Sequence, residues 1–242
     1  MSAVPFVHLH LHTEYSLTDG LIRIPQLVAQ ARACGMPALA ITDQSNAFAA
    51  VKFYQEAENA GIKPILGAEV WLHRQGDGVE RSRCVLLCLN RSGFQQLSML
   101  LTRSYRNGQI QGVPHVEWAW LEPGNTSHLL ALSGGLHGEL GILLADGQVT
   151  KARGRAAAFA AAFPDRFYLE VARTGRPGED RYVPQAIALA DAMGLPLVAS
   201  NDVRFLVASD FDAHEARVCI QEGRTLSDPR RPRAYTPQQY LR

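Results

Sequence analysis

Three histidines stand at alternate positions near the start of this chain, in Phe6-Val7-His8-Leu9-His10-Leu11-His12, followed by Thr13-Glu14-Tyr15-Ser16. In an extended strand, alternate side chains share a face. Phe6, His8, His10 and His12 would then lie on one side, with Val7, Leu9 and Leu11 on the other. The leucine side reads as packed against something apolar. The opposite side lines up three imidazoles, the commonest metal-ligand side chain. One histidine on a strand is ordinarily structural, whereas three in alternation point to a metal site, present or former. The carboxylates of such a site must come from later in the chain.

A recurring pattern supplies them. An amphipathic helix ends at a glycine, a proline follows, and a short apolar strand finishes on a carboxylate. The first copy places Ile24, Leu27, Val28 and Ala31 at helical spacing, then Gly35-Met36-Pro37 and a strand Ala38 to Asp43. The second has Ala47, Val51 and Tyr54 on the helix, then Gly61, Pro64 and a strand ending at Glu69. The third has Ile187 and Ala190, then Gly194-Leu195-Pro196 and a strand from Leu197 to Asp202. Glycine just past a helix and proline soon after are stop signals. Between the copies lie strands at 84–89, 128–133 and 167–172, with helices near 94–105, 151–163 and 211–222. Strands alternating with helices predict parallel β-α units in one domain, either an open sheet or a barrel of about seven strands. Such folds collect their active sites at the carboxyl ends of the strands. Asp43, Glu69 and Asp202 would meet His10 and His12 there, a mixed N/O donor set suited to zinc or manganese. Asp43 reads equally as a helix cap.

The bulk composition is permissive and excludes little chemistry. The chain has 242 residues, 47% of them hydrophobic, enough for a substantial core. Its 24 basic and 23 acidic residues leave a net charge of +1, so no global field draws it to nucleic acid or a membrane. No apolar run suffices to span a bilayer, and the N-terminus carries no secretion signal, which together predict a cytoplasmic protein. Cys34, Cys84, Cys88 and Cys219 form no C-x-x-C pair and read as core thiols in a reducing compartment.

His10-Leu11-His12 with Ser16, then Thr42-Asp43, Gly67-Ala68-Glu69 and Asn201-Asp202, resemble the successive motifs of the polymerase-and-histidinol-phosphatase (PHP) domain. The likeness is strongest to the PHP domains at the N-termini of bacterial replicative DNA polymerase III alpha subunits. It is carried by Gly35 to Asp43, Val51-Lys52-Phe53-Tyr54, Leu132-Ser133-Gly134 and the last forty residues. The resemblance implies a distorted (β/α)7 barrel, similar to a TIM barrel, over residues 1–222. Residues 223–242 would be a basic connector toward a polymerase palm domain. It also implies up to three metals in active members.

Several positions depart from the active pattern. Gln44, Arg83, Gly135, Thr174 and Arg204 stand where active members place histidine or another ligand. The family's first metal position maps to His10, His12, Glu69 and Asp202, all present. The second keeps only Glu69, and the third keeps Asp19. The expectation is a degenerate pocket in which Arg83 and Arg204 neutralise Glu69 and Asp202. It would need no cofactor, or hold one zinc or manganese at the retained ligands. Magnesium would belong to the parent polymerase. The expected role is a non-catalytic scaffold, with the remaining polymerase domains and the proofreading exonuclease subunit as partners. DNA would be reached through the parent polymerase, and no membrane is involved. The alternative is a metal-dependent phosphoesterase, a 3′-5′ exonuclease or pyrophosphatase.

The remaining features have plainer readings. From Arg217 onward six arginines stand against Glu222 and Asp228, a stretch that could touch phosphates but reads as a solvated connector. Trp71, Trp118 and Trp120 could form a stacking surface, and core or hinge packing is preferred. His73, His115, His137 and His214 show no ligand spacing.

Overall fold

In a computed structural model, which describes residues 6–76, 79 and 81–242, the chain is an α/β protein. Its strands are β1 (Ala38–Ile41), β2 (Lys63–His73), β3 (Arg81–Cys88), β4 (Gln109–Ile110), β5 (Val113–Glu117), β6 (Leu129–Leu132), β7 (Phe167–Ala172) and β8 (Leu197–Ser200). Its helices are α1 (Ile24–Ala33), α2 (Ala50–Asn59), α3 (Arg91–Asn107), α4 (Pro123–Thr126), α5 (Glu139–Ala145), α6 (Val149–Ala162), α7 (Glu179–Met193) and α8 (Phe211–Glu222). The chain divides into two compact units. One comprises residues up to Leu66, Arg173–Arg176 and Asn201–Arg242; the other comprises Gly67–Ala172 and Pro177–Ser200.

In the first unit β1 pairs in parallel with the start of β2. The histidine-bearing segment lies beside β1, with Ala40 N donating to His8 O at 2.9 Å and Thr42 N to Leu11 O at 2.8 Å. Two residues of β1 thus span three of the partner. That extra residue is a bulge, and it interrupts the regular strand that alternation predicts. On its other side the segment pairs with Val203, whose N donates to His10 O at 3.1 Å and whose O accepts from His12 N at 2.9 Å. The tail closes in alongside: Arg204 N donates to Gln239 O, and Phe205 bridges Tyr240 in parallel. The last eight residues therefore pack into this unit, with Gln239 and Leu241 buried, while most of 223–234 is exposed.

The core of the first unit follows helical spacing. Ile24, Leu27, Val28 and Ala31 of α1 are buried against Leu39, Ile41, Phe53 and Ile62. On α2 the buried face is Ala50, Phe53 and Ala57, not the predicted line through Val51 and Tyr54. Val51 is 70% exposed. Both lines have helical period, and the large Phe53 ring decided which one turned inward.

In the second unit the strand order is β4-β5-β2-β3-β6-β7-β8. The predicted all-parallel arrangement fails at β3, which is antiparallel to both β2 and β6. Only residues 74–80 lie between β2 and β3, too few for the crossover that a parallel pair needs, so the pair is antiparallel. Trp118 and Trp120 lie in a tight helical turn rather than on one side of a strand. Core packing is the outcome for Trp120, which is buried. Ile187 of α7 is exposed, while Tyr182, Val183, Ala186 and Leu189 supply the apolar face.

Gly93, in the first turn of α3, passes so close to β6 that a Cβ there would sit 2.2 Å from the carbonyl oxygen of His128. Helix propensity alone would favour alanine by about 1 kcal/mol. The backbone clash outweighs it, at about 1–3 kcal/mol for overpacking. Gly93→Ala should therefore lower the melting temperature by a few degrees in a thermal melt; a raised value would refute the close approach.

Candidate functional site

His10, His12 and Asp202 come together in the first unit, with their ligand atoms within 4.8 Å of one another and all three residues buried. Asp202 Oδ1 lies 3.6 Å from His10 Nε2 and 3.7 Å from His12 Nε2. The third histidine of the alternation does not join them. Beyond the bulge, His8 Nε2 donates to the carbonyl of Arg242 at 3.0 Å and its ring meets Phe6 edge-on.

The turn after His12 fixes that ring. Asp43 accepts from Thr13 N at 2.7 Å, Thr13 Oγ1 at 2.8 Å and Ser16 Oγ at 2.9 Å, so it braces the turn Glu14–Ser16, whose N-cap is Thr13, rather than capping the helix after it. Burial pushes the Asp43 carboxyl up, and the Thr13 and Ser16 bonds pull against that. Ser16 has one hydroxyl proton, and Asp43 takes it. Ser16 Oγ must then accept from His12 Nδ1, 2.8 Å away, and it also accepts from Gln44 N at 3.1 Å. A neutral His12 with its proton on Nδ1 presents Nε2 as a lone pair toward Asp202.

Asp202 has a positive φ of 42°, a backbone region that strains most non-glycine residues. Gln239 Nε2 holds its carbonyl at 3.0 Å. The side chain is held by cations. Arg204, 0% exposed, donates from Nε to Asp202 Oδ1 at 2.8 Å and from Nη1 to Asp19 Oδ2 at 2.6 Å. Arg176 Nη2 donates to Asp202 Oδ2, and its Nε donates to Gln239 Oε1 at 3.2 Å. Tyr235 OH donates to Asp19 Oδ2 at 2.7 Å, and His214 Nε2 donates to the Asp19 carbonyl at 2.9 Å. Burial by itself would raise the Asp202 pKa. Arg204 and then Arg176 overcome that and hold it well below the ordinary carboxylate range.

The other predicted positions fall as follows. Thr174 is buried in the first unit, where its carbonyl accepts from Thr236 Oγ1. Gln44 is half-buried, with its Nε2 3.4 Å from Ser45 Oγ. Glu69 and Arg83 belong to the second unit, where Arg83 Nη1 donates to Glu69 Oε2 at 3.3 Å. Gly135, also there, has a φ of 57° and opens a short helical turn. Sequence reasoning missed Arg176, Tyr235 and Gln239. Each sits in a Gly- or Pro-punctuated stretch without period, and only chain folding brings it to Asp202.

The donors test directly against a metal. Three ligand atoms at this spacing fit one ion, with His10, His12 and Asp202 holding it. They do not fit a cluster of ions in this unit, because Asp19 and Asp202 are already shared with two guanidiniums. Two arginines against two aspartates leave that group neutral without any metal. A unit charge about 4 Å from another of the same sign costs on the order of 4 kcal/mol near a protein surface, and a divalent ion would feel more.

Arg204→Leu would strand Asp19 and Asp202 and should cost about 3–5 kcal/mol of stability near neutral pH. The depressed Asp202 pKa sets the sign. Its contribution is present above the unfolded carboxylate value, about pH 4, and is lost as pH falls through the lower folded value. Denaturant titrations of both proteins should therefore show a gap that is full at pH 7 and narrows in strong acid. A gap independent of pH would count against the ion pairs.

Comparison with known proteins gives consistent results. The PHP domain family model matches residues 8–174. The DNA polymerase III subunit alpha of Pseudomonas fluorescens is 49% identical over 98% of this chain and 20% of its own length. That of Escherichia coli K12 is 47% identical over the whole chain and 21% of its own length. The chain thus spans about a fifth of the length of the curated relatives it matches. Among solved structures, an amidohydrolase from Chromobacterium violaceum with bound sulfate and no metal aligns with a TM-score of 0.56 and 15% identity. That alignment covers 87% of this chain and 96% of the other. A metal-dependent phosphoesterase structure from Bifidobacterium adolescentis aligns with a TM-score of 0.52 and 13% identity, over 81% and 86%. These two likenesses are of fold alone.

Proposed function

The chain belongs to the PHP domain family, and from that premise we propose that it is the N-terminal, non-catalytic scaffold of a bacterial replicative polymerase alpha subunit. One observation carries the reading. The guanidinium of Arg204, fully buried, bridges Asp19 and Asp202, and Arg176 takes the second oxygen of Asp202. Fixed cations do there what mobile metal ions do in a hydrolase, which is to neutralise converging carboxylates. They cannot lower the pKa of a bound water or clamp a leaving oxygen.

One zinc or manganese held by His10, His12 and Asp202 would supply Lewis acidity when bound. The chain's own groups favour a structural use of it. Ser16 and Asp43 lock the His12 ring, Arg204 and Arg176 hold Asp202, and Tyr235 holds Asp19. In the second unit Arg83 neutralises Glu69, the fourth member of the expected ligand set. The partners that fit this role are the remaining domains of the alpha subunit and its proofreading exonuclease, with DNA reached through the polymerase. The rival reading, a metal-dependent phosphoesterase, draws on the same histidine–aspartate triad.

Elemental analysis of the purified chain, with thermal melts in chelator and in added zinc or manganese, separates the two. The scaffold reading expects at most one metal per chain and no manganese-dependent release of nucleotides from a primed strand. Two or more metals, or a release abolished by His12→Ala, would establish the phosphoesterase instead.

A further inference from the structure

In the second unit, β2 runs on to His73, four residues beyond Glu69, and Glu69, Trp71 and His73 share a face. Across the ladder, Trp71 lies opposite Arg83 in β3 and His115 in β5, while His73 lies opposite Arg81 and Glu117. The result is a polar patch of two guanidiniums, two imidazoles and an indole on three adjacent strands.

Two of these groups have chemistry that nothing uses. The Arg81 guanidinium lies 3.9 Å over the Trp71 ring, on an exposed residue. Among the described residues it also feels the like charge of Arg83 and lies near His115, and no acceptor engages its N–H edge. Stacking fixes the plane of a guanidinium and leaves that edge for a planar pair of oxygens. The second group is His115, 1% exposed. Its Nδ1 donates to the carbonyl of Val113 at 2.7 Å, so in the neutral ring Nε2 is the lone-pair nitrogen. That Nε2 is buried and has no hydrogen-bond partner among the described residues.

The neighbours select the ligand. His73 Nδ1 donates to both Glu117 oxygens at 2.9 Å, which occupies that carboxylate and fixes the second imidazole in the same sense. The two rings lie 6.2 Å apart. Two imidazoles so oriented could suggest a metal, but the Arg81 guanidinium stands beside them and repels a cation, Arg83 being paired with Glu69. An oxyanion is attracted instead. If it carries a proton, that proton also satisfies His115 Nε2.

We propose that Arg81 and His115, with His73 and Trp71 beside them, form a phosphate-binding site for a nucleic-acid strand or a nucleotide. Two phosphate oxygens meet the N–H edge of Arg81. A protonated phosphate oxygen donates to His115 Nε2, or the imidazole takes a proton and donates to a bare oxygen. Single strands pair this kind of charge with an aromatic surface, which Trp71 provides.

The test titrates the chain at about 50 mM salt, where phosphate contacts are strong, with a labelled oligothymidylate followed by anisotropy. Thymidine monophosphate and inorganic phosphate are followed by tryptophan fluorescence. Arg81→Gln should weaken binding about tenfold, as expected for one charge-assisted contact. Arg103→Gln removes the same charge from a guanidinium stacked 4.1 Å from Trp120 and should bind as the unmodified chain does. Arg81 is exposed, so a melt of Arg81→Gln should match the parent. Saturable binding of the oligonucleotide alone assigns the site to a strand, and binding of all three assigns it to a free phosphate group. No saturable binding, or equal losses in the two variants, would overturn the proposal.

Discussion

A single buried cation sets the terms for the first unit. Arg204 is fully enclosed, and its cost of burial is met only because Asp202 lies at 2.8 Å and Asp19 at 2.6 Å. A guanidinium suits this better than an ammonium. It is planar, keeps its charge, and reaches two carboxylates from one fork. Once it is in place, other groups must arrange themselves around it. Arg176 and Gln239 add donors to Asp202, while Tyr235 and His214 add donors to Asp19.

This arrangement ties remote parts of the chain to one point. Asp19 follows the histidine segment, Arg176 follows β7, Asp202 and Arg204 follow β8, and Tyr235 and Gln239 are in the tail. The parallel ladder formed by β1, the histidine segment, residues 203–205 and residues 239–241 gives the backbone framework. The side-chain network then fixes it from within. Burying charged pairs is weak evidence for stability in general, since an apolar replacement can do as well. Its sense here is specificity, because the network joins residues far apart in the chain at one point.

The second unit is built on a different principle. β2 is long enough that one part lies in the first unit beside β1 and the rest carries alternating faces in the second. One face holds Val70 and Leu72 in the core. The other holds Glu69, Trp71 and His73, with arginines across the hairpin. A strand of ordinary length would have ended near Glu69 and carried none of that outer patch.

Much of this was legible in the sequence, and the failures have physical reasons. The helix–glycine–proline–strand pattern placed α1, β1 and β8 well, because hydrophobic period and stop signals are local. The motifs named the family, and strand ends read in order gave His10, His12, Glu69 and Asp202, of which the first unit groups His10, His12 and Asp202. The period of α2 was right but its phase was not, since Val51 and Phe53 are both apolar and only packing against Leu39 and Ile62 chooses between them. Alternation alone also put His8 with its neighbours, and the bulge opposite β1 removed it. Hydrophobic pattern and stop signals by themselves determined the class of fold and the kinds of side chain that meet, and the resemblance of the motifs gave the family. Only the tertiary structure decided that Arg176, Tyr235 and Gln239 meet Asp19 and Asp202. Buried charges must find partners wherever in the chain those lie, and no local rule encodes a pairing across two hundred residues.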